Sequence, residues 1–213
     1  MDTHALHYYL SFLLLLYHNL PSYGIESPQY IVVLSAPDVE IRLYNESIWI
    51  SALVQASNSF EESTEDGFHR LYQYIHGANA NSSQLKKTAP ILTSISQTAV
   101  NSSIHYVKFY LSRQVGAVPQ PSPELNLQVE MWRSHCIAVR RFSGFAKDGN
   151  IDKEKLGLIS SLDKLSSSAK SKNIVVFEDK SAYAVAQYNA SFHLSGRINE
   201  VWMNVSAEGC PLY

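Results

Sequence analysis

Two histidines seven positions apart, His69 and His76, have the spacing in this sequence that most suggests a metal site. Both lie in the segment GFHRLYQYIHG, whose apolar periodicity predicts a helix. Residues seven apart on a helix share a face but are separated by about 10.5 Å along its axis. Two imidazole nitrogens bind one zinc ion only when each lies about 2 Å from it. The pair therefore cannot share a metal ion, and we predict no metal site.

Sequence patterns of the common catalytic sites are missing. The chain contains no G-x-S-x-G nucleophile elbow, P-loop, GxGxxG or H-E-x-x-H segment. We therefore predict no catalytic residue. One carboxylate keeps an enzymatic role open, since Glu200 would have a raised pKa if it is partly buried. The alternative is that Glu200 braces the fold by bonding backbone groups or Arg197.

Length and composition predict a folded domain with a real hydrophobic core. The chain has 213 residues, of which 46% are hydrophobic and 17% charged, with a net charge of −2. Its Lys and Arg residues are scattered, so it offers no basic patch for phosphates. The same scatter argues against electrostatic docking on an anionic membrane. We therefore expect neither a nucleic-acid partner nor stable membrane insertion.

Residues 1–24 have the pattern of a secretory signal peptide. The apolar run from Tyr8 to Tyr17 is too short to cross a bilayer but suits the core of such a peptide. Ser22 and Gly24 are small residues at the two positions that signal peptidase recognises. We expect cleavage before Ile25, a single domain over residues 25–213, and a secreted or secretory-pathway location.

Five N-x-[ST] sequons support export and predict glycosylation. They begin at Asn45, Asn81, Asn101, Asn189 and Asn204.

The two cysteines, Cys136 and Cys210, form an even set, which in an oxidising compartment indicates a disulfide bond. The bond would close a loop of about 75 residues and contribute roughly 4 kcal/mol through loop-closure entropy. The alternative is a pair of free, buried thiols.

The first half of the chain reads as strands around one helix. Alternating and β-branched patterns predict strands at residues 30–34, 39–44, 48–54, 91–96 and 105–112. Ser59 and Glu62 form a capping box that opens the helix, and Gly77 ends it. Its apolar stripe comprises Phe68, Leu71, Tyr72 and Ile75.

The pattern of the second half repeats that of the first, after a proline-rich connection at residues 118–123. The pattern apolar-x-apolar-Arg-x-aromatic occurs at residues 39–44 and again at 137–142, 98 positions later. A second helix is predicted over residues 152–170, with strands at 173–178, 183–188 and 200–205. We expect two β-rich quasi-repeats merged into one domain.

Six ordered blocks of this sequence resemble the SOUL/haem-binding protein family. They are Glu26-Ser-Pro-Gln-Tyr30, Glu40-Ile-Arg-Leu-Tyr44 with Trp49, the segment GFHRLYQYIHG, Lys87-Thr-Ala-Pro-Ile91, Val139-Arg-Arg-Phe-Ser-Gly144 and Arg197-Ile-Asn-Glu-Val-Trp202. The resemblance implies an α+β fold, a distorted antiparallel β-barrel of two quasi-repeats with two α-helices packed on it. Bacterial effector-binding proteins have a related architecture.

The resemblance also implies a tetrapyrrole site, in an apolar groove between the first helix and the loop joining the last two strands. The residues carried over to it are Phe68, Leu71, Tyr72 and Ile75 on the helix, with His69 beside them, and Phe192, His193 and Leu194 in the loop. Aromatic and aliphatic side chains suit a large flat macrocycle. The alternative is that the helix stripe packs on the sheet as core.

Four positions depart from the family pattern. Leu43 stands where some members have a histidine proposed to bind iron, and Glu65 and Gln73 replace basic helix residues. His193 replaces a lysine and would pair with a carboxylate when protonated. A single iron-bound histidine needs no partner at a fixed spacing, so His69 stays open for that role. We expect binding without a dedicated axial ligand.

The function expected from these observations is a secreted, non-enzymatic carrier or scavenger of haem or another tetrapyrrole. One alternative is an interaction module that binds a protein or a small apolar ligand. A second alternative is a small-molecule hydrolase with Glu200 as its acid, which rests on analogy of fold alone.

Overall fold

Ten β-strands and two α-helices make up the part of the chain that the computed structural model describes. The described residues are 25–54, 59–97, 103–113, 115–167, 176–177, 179–189 and 196–211. The strands are β1 (Tyr30–Ala36), β2 (Val39–Tyr44), β3 (Ser47–Val54), β4 (Ile91–Gln97), β5 (Ser103–Leu111), β6 (Leu127–Trp132), β7 (His135–Ser143), β8 (Val176–Phe177), β9 (Ala182–Gln187) and β10 (Ile198–Ser206). The helices are α1 (Phe60–Ile75) and α2 (Asp148–Ser167), with a short 3-10 turn at Pro123–Leu125.

Several predicted features lie outside the described residues. They are the signal peptide at 1–24, the sequon at Asn101, and the loop residues Phe192, His193 and Leu194.

Nine of these strands form one curled antiparallel sheet in the order β1-β2-β7-β10-β9-β4-β5-β3-β6, and β8 pairs with the end of β10. Apart from the edge strand β1, the order is symmetric about the β9–β4 pair. On one side β4 is followed by β5, β3 and β6, and on the other β9 is followed by β10, β7 and β2. The units β3-α1-β4-β5 and β7-α2-β9-β10 are therefore the two quasi-repeats. The predicted α+β fold with two helices on a curled antiparallel sheet is confirmed.

The two copies of the motif that predicted the duplication do not lie in equivalent strands of the two quasi-repeats. They lie in β2 and β7, which are antiparallel neighbours with Glu40 opposite Val139. The symmetric partner of β7 is instead β3, because each of these strands is the last before a helix. The symmetry equivalent of β2 is β6, a strand that the sequence analysis missed. In the sheet β2 pairs with β7 of the second unit, and β6 pairs with β3 of the first. The offset of 98 positions therefore does not describe the repeat.

The start of α1 is fixed by two side chains. Ser59 is the N-cap, and its hydroxyl oxygen accepts the Glu62 backbone N–H at 3.1 Å. Asp148, the first residue of α2, accepts the Ser59 hydroxyl at 2.7 Å and the Phe60 backbone N–H at 2.5 Å. Although partial burial alone would raise it, the pKa of Asp148 is lowered by these hydrogen bonds. The two helices are therefore tied together at their N-terminal ends.

The helices cover one face of the sheet. α1 lies against β3, β4 and β5, and α2 lies against β2, β7 and β10. α1 comes so close to β5 that a Cβ atom on Gly67 would lie 2.4 Å from the Val107 Cβ. Only glycine fits there, so Gly67 fixes which side of α1 faces the sheet.

The predicted disulfide between Cys136 in β7 and Cys210 after β10 is present, with a Cα–Cα distance of 5.8 Å. Among the sequons in the described part of the chain, Asn45, Asn81 and Asn204 are exposed and Asn189 is half-buried. No helix among the described residues has the length and apolarity that a membrane span needs.

Candidate functional site

The apolar stripe predicted on α1 is divided between the core and the surface. Leu71 and Ile75 are buried in the core under the helix. Phe68 is half-buried, and Tyr72 is 44% exposed. For Leu71 and Ile75 the core alternative is therefore the one observed, and Phe68 and Tyr72 are the members of the stripe that a ligand can reach.

Three aromatic rings form a row along the outer side of α1, which we call the α1 aromatic surface: Phe68, Tyr72 and His76. The Phe68 and Tyr72 ring centroids are 5.9 Å apart, and the Tyr72 and His76 rings stack at 3.8 Å. His76 Nδ1 also lies 2.7 Å from the Tyr72 carbonyl oxygen. These contacts hold the rings in place, and Tyr72 and His76 remain exposed.

Sequence reasoning did not place His76 in this row, although the signal was present. Positions 68, 72 and 76 are each four residues apart, and side chains at that spacing are neighbours on a helix. The apolar stripe does not include His76, because histidine is a polar residue type.

The residues around the α1 aromatic surface include helix positions that depart from the family pattern. Glu65 and Gln73 on α1 are both exposed. The cation beside the row is Lys87, whose ammonium lies 6.0 Å from the Tyr72 ring centroid. Leu43 packs against the core under α2 and not under α1. His69 is exposed on α1.

No cluster of three or more His, Cys, Asp or Glu side chains that could hold a metal ion occurs within the described ranges.

Glu200 lies on the opposite face of the sheet, where four side chains bond it. Its carboxylate is 3.0 Å from both the Arg42 and Arg141 guanidinium groups. It also accepts the Tyr188 hydroxyl and the Trp202 indole N–H, each at 2.8 Å. Both carboxylate oxygens are therefore occupied, which matches the bracing role. The arginines involved are Arg42 and Arg141, and the guanidinium of Arg197 instead donates to a backbone carbonyl.

A buried serine–histidine pair joins α1 to β5. Ser63 Oγ and His105 Nδ1 are 2.5 Å apart, and both residues are buried. Such a pair has the chemistry of a nucleophile and its base. Here it lies beneath α1, so we assign it to holding the helix on the sheet.

The His105 pair predicts a loss of stability in mild acid. Burial lowers the pKa of His105, and the opposing effect of Asp148 is smaller. The unfolded histidine has a pKa of about 6.5, so below that pH the unfolded chain binds a proton that the folded chain does not. Lowering the pH from 7.5 to 5.5 should therefore cost up to about 1.4 kcal/mol through this group. Denaturant unfolding at both pH values measures the cost.

The matched control for this experiment is His105→Gln. The variant is less stable at every pH, but it should lose less stability than the wild type between pH 7.5 and 5.5. Equal losses in the two proteins would show that His105 does not cause the pH dependence.

The similarity to known proteins covers most of the chain. Residues 25–204 match the family described as SOUL heme-binding protein. The chain is 31% identical over 167 residues to Heme-binding protein 2 of Mus musculus, covering 77% of this chain and 76% of that protein. It is 28% identical over 166 residues to Heme-binding protein 2 of Homo sapiens, with the same coverage.

Among solved structures, the C-terminal domain of EcmrR is similar with a TM-score of 0.53 and 10% sequence identity, covering 79% of this chain and 96% of that one. At that identity the likeness concerns the fold alone.

Proposed function

Since this chain belongs to the SOUL heme-binding protein family, we propose that it binds haem or a related tetrapyrrole as a carrier or scavenger, without a catalytic step. The observation that carries the proposal is the α1 aromatic surface. Tyr72 is 44% exposed although it is a large ring held between two others. Covering such a surface with a flat ligand contributes about 25 cal/mol for each Å² of apolar area removed from water.

The geometry of the surface suits a macrocycle. The Tyr72 and His76 rings stack face to face, with centroids 3.8 Å apart and planes inclined by 27°, and this stack forms an aromatic platform. Aromatic rings favour offset stacking on other π-systems. The Lys87 ammonium lies over the Tyr72 ring, 6.0 Å from its centroid, and supplies the cation that a propionate requires. Neither Glu65 nor Gln73 supplies that charge.

The remaining members of the predicted groove take different roles in this proposal. Leu71 and Ile75 support the platform from the core side, and do not touch the ligand. The family resemblance assigns the loop residues Phe192, His193 and Leu194 to the same site as further ligand contacts. Iron has no dedicated axial ligand, so haemin and iron-free porphyrin bind with similar affinity.

We also propose that the protein is secreted. The signal-peptide pattern at residues 1–24 supports this, as do the exposed sequons at Asn45, Asn81 and Asn204. A disulfide such as Cys136–Cys210 is typical of oxidising compartments.

The proposal predicts that Tyr72→Ala weakens binding of haemin and of iron-free porphyrin at least tenfold, or about 1.4 kcal/mol. The truncation removes the central ring of the platform, and absorbance titration in the Soret region measures the effect. The matched control is Leu156→Ala, which truncates an exposed apolar side chain on α2. It should leave both affinities unchanged.

Two further results would contradict parts of the proposal. An iron-dependent Soret shift that is lost in His69→Ala would show that iron is coordinated. Binding of unrelated hydrophobic dyes as tightly as porphyrin would contradict the carrier role and favour the interaction-module alternative.

A further inference from the structure

A cavity of about 360 Å³ lies on the inner face of the curled sheet, away from the helices. The Thr93 hydroxyl lies 2.8 Å from that of Thr64 on α1, so its neighbour Ser94 points to the other face of β4. Ser94 lines the cavity together with Trp132 of β6 and Trp202 of β10. Four strands separate β6 from β10 along the sheet, so the two indoles share one cavity because the sheet curls around it.

Small side chains at the centre of the sheet create the space. The central strands β4 and β9 line the cavity with Ser94, Ser96, Ala182 and Ala184. Longer side chains at these positions would fill it. The volume lies in the range of small-molecule pockets, roughly 300–1,000 Å³.

The indole walls give the cavity its preference for a flat ring. Trp202 is buried and Trp132 is half-buried, Trp132 packs against Trp49 at a ring-centroid distance of 4.8 Å, and both indoles contribute to the lining. A planar aromatic molecule would stack on such surfaces in an offset or tilted arrangement.

A buried cation stands beside one of these walls. The Lys108 ammonium lies 5.2 Å from the Trp132 ring centroid and 2.5 Å from a Glu130 carboxylate oxygen. Although burial alone would raise it, the pKa of Glu130 is lowered by Lys108, which favours the ionised carboxylate. An ammonium has three N–H donors, and the contact with Glu130 uses one of them. A ring bound in the cavity beside Trp132 would therefore hold an acidic substituent within reach of Lys108.

Among the described residues of the lining, the one acidic side chain is that of Asp179. Asp179 is exposed, and its Oδ1 accepts the Ser181 backbone N–H at 2.7 Å and the Ser181 hydroxyl at 2.6 Å. These donors offset part of its charge. Asn204, on the wall formed by β10, adds a neutral polar group.

We propose that this cavity is a second binding site, for a small planar aromatic acid whose ring lies between the two indoles and whose carboxylate binds Lys108. The site is on the opposite face of the sheet from the α1 aromatic surface. It does not depend on tetrapyrrole binding.

Calorimetric titration with three naphthalene probes tests the charge preference. Naphthalene-2-carboxylate should bind saturably and at least tenfold more tightly than 2-naphthylmethylamine, with neutral 2-naphthalenemethanol in between. The carboxylate should also perturb tryptophan emission, since two of the three tryptophans of the chain line the cavity. Absence of saturable binding, or equal or tighter binding of the amine, would overturn the proposal.

Filling the cavity tests the location. Ser94→Leu should weaken binding of naphthalene-2-carboxylate at least tenfold, whereas Ser35→Leu, an identical change on the exposed edge strand β1, should not. Tyr72→Ala should also leave it unchanged, which separates this site from the tetrapyrrole site. Full binding by folded Ser94→Leu would overturn the proposal.

Removing the cation tests its role. Lys108→Met should weaken binding of the carboxylate about tenfold and leave binding of the neutral alcohol unchanged. Because the single change leaves Glu130 without its partner, the double variant Lys108→Met/Glu130→Gln is measured beside it. Equal weakening of acid and alcohol in both variants would overturn the assignment of the carboxylate to Lys108.

Discussion

Replacing Glu200 by leucine is expected to lower the free energy of unfolding by about 3–5 kcal/mol, because it leaves a buried cation without its main partner. Arg42 is 1% exposed and Glu200 is 2% exposed. Burial opposes the charge of Arg42, yet the Glu200 carboxylate raises the pKa of the guanidinium above its ordinary value. With Glu200 removed, the remaining carboxylate near Arg42 is that of the partly exposed Glu40, 2.7 Å away.

The hydroxyl of Tyr188 and the indole N–H of Trp202 would lose their acceptor in the same variant. Buried donors without an acceptor add to the cost. Denaturant unfolding followed by far-UV circular dichroism measures the total.

A matched control for Glu200→Leu is Glu154→Leu on α2. Glu154 also bonds an arginine, Arg140, at 3.3 Å, but both side chains are partly exposed. Its loss should therefore cost no more than about 1 kcal/mol. The double variant Arg42→Met/Glu200→Leu should recover part of the stability, because it removes both buried charges.

Variants of Glu200 also distinguish a bracing role of its side chain from a role as a catalytic acid. A Glu200→Leu variant as stable as the wild type would contradict the bracing role. A Glu200→Gln variant that folds normally but loses a measurable turnover would favour the hydrolase alternative.

Replacing both cysteines by alanine is expected to cost about 4 kcal/mol of folding free energy. The bond joins Cys136 to Cys210 across 74 residues of sequence, so it restricts the unfolded chain over a third of its length. Both residues pack in or beside the core under α2, where alanine at Cys136 also removes a buried sulfur. Denaturant midpoints of the oxidised wild type and of Cys136→Ala/Cys210→Ala measure the difference.

Reducing agent provides the internal control for this measurement. It should destabilise the wild type and leave the double-alanine variant unchanged. If the reduced and oxidised wild-type proteins unfold at the same denaturant concentration, the bond does not stabilise the fold.

Local patterns predicted most of the secondary structure because they depend on neighbours in the chain. The strand at residues 39–44 has the predicted bounds, and α1 begins after Ser59 and ends before Gly77, whose φ of +114° favours glycine. The missed strand β6 has an alternating sequence, LQVEMW, directly after the proline-rich connection. α2 begins at Asp148, four residues before the predicted start, and the same residue also accepts the Phe60 backbone N–H of α1.

The arrangement of the site depends on contacts between residues far apart in the sequence, and the spacing of apolar residues does not reveal such contacts. Phe68, Leu71, Tyr72 and Ile75 form one apolar stripe in the sequence. The fit of Gly67 against Val107 turns α1 so that only two of the four are buried.

The sequence by itself determined the two amphipathic helices, nearly all the strands and the family resemblance, since each depends on residue types at short spacing. Only the tertiary structure decided which rings of α1 face outward, that Arg42 and Arg141 bond Glu200, and that Trp132 and Trp202 enclose one cavity. The physical reason is that these side chains come from strands whose neighbours are fixed by sheet order and curl. The strands β2 and β7 share a sequence pattern. That pattern alone does not tell whether the two strands are neighbours in the sheet or equivalent strands of the two repeats.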